Sequence, residues 1–499
     1  MIFRVCLMLW AFCLAVPAHA QSWLRAESDH YIIHARLDEA ELRGLMQAAE
    51  EFDRVLHGLM PAETQHGRKP ELYLTDDASR IARTVNFGAT AVCENHAELP
   101  AAYALYAHSP TGLPDEGEIF YCISQFHINN AFFRPKPMWL TGGLSHFFAT
   151  AYRNEDNLFV IGAPKIMRRV RGITRDTVAQ ALVTQSRHKT EDEYARFLDL
   201  SRAMASPLLV EAQFAGVMNR YVDAYVSGRS MEDAARELGD LDVFTERLGR
   251  RRYVTPIRRV KVEPPFVAAV AVRPMTADEI ALVEVRLERL LETRRDASAR
   301  KLAALTRRFP GSAAVWFEYA AAEYARVQFS DFDGRPIFRG FGFSNGELIV
   351  MANPYSDAEA WRAVNAALAI DPGHAQALRL KAEIMLARLV RAGNPEDDPD
   401  YDRVRAMLAP LARDPERHPL AAALYHQSYI EQGREPPEAA FRQLAQAFMT
   451  NPGVGDFRYA YATALSRRGQ KGEARGLLVS MLNDPGFQAA AWRALEVTQ

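Results

Sequence analysis

Cysteine is scarce in this chain, with four among 499 residues. Cys6 and Cys13 lie in the N-terminal leader, so the body of the chain keeps only Cys93 and Cys122, and neither has metal-ligand spacing. Net charge is also small: 60 Lys and Arg against 62 Asp and Glu leave −2, a balance that does not point to nucleic acid as a partner. After the leader no apolar run reaches the roughly 20 residues that a membrane-spanning helix requires, so no transmembrane segment is expected in the mature chain. A Gly-x-Ser-x-Gly elbow, a P-loop and a dinucleotide fingerprint are all missing, and no cofactor is expected.

The first twenty residues set the compartment. Met1–Ala20 carries an early cation, Arg4, an apolar run from Val5 to Val16, and Ala18-His19-Ala20 as a small-x-small cleavage site. Together they describe a secretory signal peptide, with the mature chain starting at Gln21. The apolar run is too short to anchor the chain in a membrane. The expectation is an exported protein in the periplasm of a Gram-negative bacterium. An even count of mature cysteines in an oxidising compartment then admits a Cys93–Cys122 disulfide, with two buried thiols as the alternative.

Residues Phe120–Arg153 read FYCISQFHINNAFFRPKPMWLTGGLSHFFATAYR. This stretch resembles the helix pair of the gluzincin metallopeptidases, in which one helix carries His-Glu-x-x-His and the next, opening on a Pro-x-Trp-x-x-Glu-Gly-like stretch, carries a third ligand. The resemblance puts His127 at the second histidine, Ile123 at the first, Ser124 at the general-base glutamate and Gly142 at the third ligand. A hydrolytic zinc site needs three protein ligands and a base for the metal-bound water. Ile123 and Gly142 cannot coordinate, and Ser124 is not a base at neutral pH. The comparison implies a peptidase-like body without catalytic residues and without a metal. One rescue is a metal held by His127 and His146 from facing helices; the plainer reading is two histidines bonded to backbone.

The likeness extends over about residues 22–260. Trp23–His34 resembles the opening strand of exported proteins in this group. A helix from Asp38 to Leu59, strands at Glu71–Leu74 and Leu158–Pro164, and helices through Tyr221–Ser230 and Ala234–Leu241 follow. A Cys93–Cys122 bridge would pin the loop Asn95–Gly117 across the mouth of the former cleft. Basic residues accumulate between Arg247 and Lys261; they are read as a solvated helix end pairing with acidic neighbours rather than a site for an anionic partner.

Residues 263–275 are expected to link two domains, because Pro264-Pro265 and Pro274 bracket an alternating run, Phe266–Val272. Thr276-Ala277-Asp278-Glu279 is a capping box that opens a helix. Residues 276–499 repeat. Ala360, Ala367 and Ala382 stand around Pro372 as Ala440, Ala447 and Ala462 stand around Pro452, with weaker copies at Pro310, Pro415 and Pro485. Those spacings resemble tetratricopeptide repeats: small residues let paired helices approach, and the proline stops one helix before the next. The array is interrupted at 329–351, where Ser344-Asn345-Gly346-Glu347 reads as a hairpin turn. Phe338, Phe341 and Phe343 are the candidate binding residues of that insertion. The segment Asn394–Asp400 is acidic but lacks a calcium-loop pattern and is read as a solvated loop.

The expected fold is thus an α+β gluzincin-like domain, residues 21–262, followed by an all-α tetratricopeptide-like solenoid, residues 276–499. The expected function is a non-catalytic exported scaffold that binds a protein or peptide through the repeats. The alternative is an active zinc-dependent hydrolase with a rebuilt or mislocated metal site. Oligomeric state has no signature in the sequence.

Overall fold

The computed structural model describes residues 23–64, 67–85, 90–106, 116–154, 156, 158–162, 172–184, 191–250, 258–262, 267–291, 294–328, 343–344, 347–348, 356–393, 395–484 and 486–497. The expected leader, residues 1–20, and Phe338 and Phe341 lie outside them.

The N-terminal half begins with a hairpin of β1 (Leu24–Glu27) and β2 (Ile32–Ala35), closed by a hydrogen bond from the Ser28 amide to the Tyr31 carbonyl. Helix α1 (Glu39–Leu59) follows, started by Asp38, whose carboxylate accepts from the Glu41 amide. Then come β3 (Glu71–Thr75), α2 (Ala78–Val85), β4 (Ala91–Asn95), β5 (Pro100–Leu105), α3 (Gly117–Asn130), α4 (Met138–Phe148), β6 (Tyr152–Arg153) and β7 (Phe159–Ile161). Helices α5 (Arg175–Val183), α6 (Glu191–Val210), α7 (Val217–Val226), α8 (Met231–Ala235) and α9 (Leu241–Arg250) lead to β8 (Arg258–Val260) and β9 (Ala271–Pro274).

Six strands make one sheet in the order β4-β5-β3-β2-β1-β9, with β2, β3 and β5 parallel and the other pairings antiparallel. The segment read as a linker therefore contributes an edge strand, in which Val272 pairs with Ala26. Alternation divides the sheet's faces. Ala26, Ile33, Leu72, Leu74, Ala102 and Ala104 are buried with Leu45, Met46, Phe52 and Leu56 of α1 and with α3. Trp23, Tyr73 and Tyr103 point the other way and pack with Val283 and Leu287.

Those last two residues belong to α10 (Ala277–Leu290), the first helix of the C-terminal half, which starts at the expected capping box of Thr276 and Glu279. The array continues through α11 (Arg295–Arg308), α12 (Ala313–Gln328), a two-residue ladder of β10 (Phe343–Ser344) and β11 (Glu347–Leu348), and α13 (Ala358–Ile370). It ends with α14 (Ala375–Arg391), α15 (Asp400–Ala412), α16 (Pro419–Glu431), α17 (Glu438–Thr450), α18 (Gly455–Arg467), α19 (Lys471–Val479) and α20 (Gln488–Val497). Pro310, Pro372, Pro415 and Pro452 each stand just past a helix end. Ala360, Ala367, Ala382, Ala440, Ala447 and Ala462 are all fully buried, as close helix crossings require. The chain is thus an α+β body followed by a mostly helical one.

The helical half touches the N-terminal half at several points along its length. Arg286 of α10 reaches Glu71 and the Tyr73 hydroxyl, at 3.2 and 2.9 Å. Arg289 takes Glu98 at 2.6 Å, and Arg379 of α14 lies 3.6 Å from the same carboxylate. Ala97 packs in one cluster with Ala423 of α16 and Phe448 of α17. Arg68 meets Asn451 after α17, and Asn483 after α19 donates to the Tyr225 carbonyl of α7. Gly453 lies so close to the Asn129 carbonyl that a Cβ there would collide with it. Contacts with the N-terminal half thus run from α10 to the connection after α19.

Candidate functional site

Helices α3 and α4 pack together, and their buried faces carry Ile119, Phe120, Ile123 and Phe126 against Trp139, Leu140, Leu144, Phe147 and Phe148. The Trp139 indole donates to the Tyr221 hydroxyl at 2.8 Å. The polar groups of the pair are turned to structural tasks. Ser124 donates its hydroxyl to the Phe120 carbonyl at 2.7 Å, and Ile123 is fully buried. His146 lies against the Tyr121 ring, with centres 4.7 Å apart, and burial pulls its pKa down to about 4, so its imidazole is neutral.

Gly142, which the resemblance puts at the third ligand, faces α6: a Cβ there would come within 3.1 Å of Leu198 Cδ2. Gly143 is tighter still, since its Cβ would collide with the Ser201 carbonyl. The two glycines serve to let α6 lie directly on α4.

Nor does His127 turn toward His146. Its Nε2 lies 3.0 Å from the Met60 carbonyl, and its ring stands edge-on to that of His57, with centres 4.6 Å apart and planes at 76°. Asp53 and His57 project from the last two turns of α1, one helical turn apart and so on one face. Asp53, His57 and His127 each bring one ligand-capable atom to within 4.8 Å of the others. Among the described residues this is the group of three or more His, Cys, Asp or Glu side chains that is close enough to hold a metal ion.

The surroundings of the cluster are polar and ordered. Tyr31 donates its hydroxyl to Asp53 Oδ1 at 2.7 Å. His57 Nδ1 lies 2.9 Å from the Asp53 carbonyl and 3.3 Å from Asp53 Oδ2; the hydrogen bond to Asp53 raises the His57 pKa, against burial. Glu50, one turn earlier, accepts from the Ser28 hydroxyl at 2.6 Å, the His30 amide at 3.0 Å and His30 Nδ1 at 2.7 Å. Burial works to raise the Glu50 pKa, but these bonds prevail and hold it below the usual carboxylate range, while the same contact raises His30. Glu51, also buried, pairs with Arg153. A cleft of about 610 Å³ opens beside the cluster, lined by Asp29, His30, His57, Pro61, Ala62, Thr64, Gly67 and Lys69.

Asp53 and His57 were not singled out in the sequence. The available signal was a carboxylate and an imidazole four residues apart on an amphipathic helix. Its meaning depends on His127, seventy positions downstream of His57.

Cys93 of β4 and Cys122 of α3 are joined in a disulfide, with Cα atoms 5.6 Å apart. It ties the sheet's edge strand to the helix that carries His127. Within the stretch expected to be a loop, Pro100–Leu105 is the inner strand β5. Arg247 pairs with Glu211 at 2.5 Å, and Arg258 and Arg259 lie in β8 against β7. Of the aromatic residues expected to bind a partner, Phe343 begins the β10–β11 ladder, where it is paired with Leu348.

Compared with protein-family models, with curated proteins and with solved structures, the chain matches none.

Proposed function

We propose that this chain is a non-catalytic exported scaffold, with a gluzincin-like body that has lost its hydrolytic residues and a tetratricopeptide-like array that holds a protein or peptide partner. The observation that supports the reading is the set of side chains at the ligand positions: Ile123 is fully buried, Ser124 is bonded to the Phe120 carbonyl, and Gly142 packs against Leu198 of α6. Residues 1–20 would export the chain to the periplasm. Because contacts with the N-terminal half already run from α10 to the connection after α19, the partner is assigned to the 329–351 insertion between α12 and α13, with Phe338, Phe341 and Phe343 as apolar anchors of the sort that dominate protein interfaces.

The second reading, an active zinc-dependent hydrolase with a rebuilt site, is favoured by the Asp53, His57 and His127 cluster. Against it stands Glu50, a buried carboxylate on the same helix as Asp53 and His57, which is already committed to three hydrogen bonds.

Replacing 329–351 with a short flexible linker is expected to abolish partner capture from a periplasmic extract while leaving the thermal melting curve nearly unchanged, since changing the length of a connection costs little. The mature chain is expected to cleave no peptide. Peptide hydrolysis that disappears on His127→Ala would establish the second reading, and undiminished capture by the shortened chain would remove the insertion from the first.

A further inference from the structure

We infer that Asp53, His57 and His127 form a binding site for a late first-row divalent cation of the zinc type, open to the cleft beside His30. The site does not depend on the scaffold reading, because a protein without hydrolytic activity can still hold a metal.

Spacing is the first argument. The three ligand-capable atoms lie within 4.8 Å of one another. A tetrahedral ion with bonds of about 2.0–2.2 Å holds its ligands roughly 3.3–3.6 Å apart, so closure requires side-chain shifts on the order of 1 Å. Two of the three come from one rigid helix at i and i+4, and the third comes from α3, which packs on that helix.

Tautomer is the second. A carbonyl oxygen only accepts, so the Nε2 that faces the Met60 carbonyl carries the His127 proton, and the neutral ring presents Nδ1 as its basic nitrogen. Metal-binding imidazoles are oriented in this way by a backbone carbonyl or carboxylate on the far nitrogen. At His57 the nitrogen beside the carboxylate is Nδ1, 3.3 Å from Asp53 Oδ2, and its contact with the Asp53 carbonyl is what a bound ion would replace. Asp53 is oriented too, with Tyr31 donating to Oδ1 at 2.7 Å while Oδ2 lies 3.3 Å from His57 Nδ1 and 4.0 Å from His30 Nδ1.

Access and donor type complete the case. Asp53 and His127 are buried, while His57 is half-buried and lines the cleft, so an ion can arrive from solvent and keep one position for water or for His30. Two imidazoles to one carboxylate suit zinc, cobalt, nickel or copper; calcium and magnesium prefer more numerous oxygen ligands.

The test uses the whole mature chain, stripped with a chelator and titrated with Co²⁺ and then Zn²⁺. The expected result is one Co²⁺ per chain with visible bands of four-coordinate intensity, displaced stoichiometrically by Zn²⁺. His57→Gln and His127→Gln should each weaken binding by more than about 100-fold, beyond the 10–100-fold typical of losing an outer-shell partner. His418→Gln, far along the array, should change nothing. In the wild-type chain, Zn²⁺ should also protect His57 from diethyl pyrocarbonate, mapped by mass spectrometry, which keeps the test decisive if a variant fails to fold. Absence of the cobalt spectrum, its persistence in the folded histidine variants, or unchanged labelling of His57 in zinc-saturated protein would each overturn the site. Bound metal without peptide cleavage is compatible with the proposed scaffold; cleavage would sink the scaffold and leave the site standing.

Discussion

Glu318→Ala is expected to destabilise the folded chain by about 3–5 kcal/mol, the cost of breaking a buried ion pair by removing one partner. Glu318 of α12 is buried between two guanidinium groups, accepting from Arg286 Nε at 2.7 Å and Arg289 Nε at 2.6 Å. The same arginines hold Glu71 and Glu98 of the N-terminal half, so the carboxylate sits where the array meets the sheet. Without it two cations would face each other under α12 with two carboxylates between them instead of three. Glu318→Gln keeps the volume and removes only the charge. If urea denaturation places the glutamine variant within about 1 kcal/mol of wild type, in the range of exposed pairs, the charge is not what holds this junction.

Acid should loosen the same junction. Burial works to raise the pKa of Glu71 and of Glu98, but the His34 contact and Arg286 for the first, and Arg289 and Arg379 for the second, hold both well below 4.5. A carboxyl whose folded pKa lies below its unfolded value binds fewer protons folded than unfolded. Its contribution is therefore fully present above about pH 4.5 and is lost as the pH falls toward the folded value. The urea midpoint is expected to fall steeply below pH 4.5, and Glu98→Gln should flatten that limb. A limb of unchanged steepness in the variant would remove Glu98 from the explanation.

The parts of this architecture that were legible in the sequence are those set by local rules. Alanines at fixed offsets from helix-ending prolines pointed to close helix packing, and those alanines are buried. The capping box at Thr276 and the turn at Ser344–Glu347 act within four residues, and the helix start and the strand ladder lie where they were expected. What was not legible depends on partners far along the chain. The alternating run before Pro274 reads as a linker until β1 is there to pair with it. Arg286, Arg289 and Glu318 have the composition of a solvated helix surface, and only the sheet beneath them turns them into a junction. Gly142 was the same kind of problem: a missing ligand suggests a gap, whereas the missing side chain admits a helix from fifty residues downstream.

Restoring the missing glutamate at that position should therefore fail instructively. Gly142→Glu is expected to destabilise the chain by more than about 3 kcal/mol without adding a metal ligand, because an unpaired carboxylate would be buried among apolar groups. Even a Cβ at Gly142 meets Leu198 Cδ2 at 3.1 Å, and the glutamate would extend farther under α6 beside Gly143, where the Ser201 carbonyl already excludes a side chain. Gly142→Ala separates the two components of the cost. Leu198 is the far end of a flexible side chain and can yield, so the alanine variant should lose no more than roughly 1–3 kcal/mol, the usual toll of overpacking. Urea titration and Co²⁺ stoichiometry of both variants decide the matter. A Gly142→Glu chain as stable as wild type, or one that gains a bound cobalt ion, would mean that α6 can leave α4 and that the ligand position is still open. Marked destabilisation with unchanged stoichiometry would mean that this helix pair now serves as core, and that metal chemistry in this chain belongs to α1 and His127.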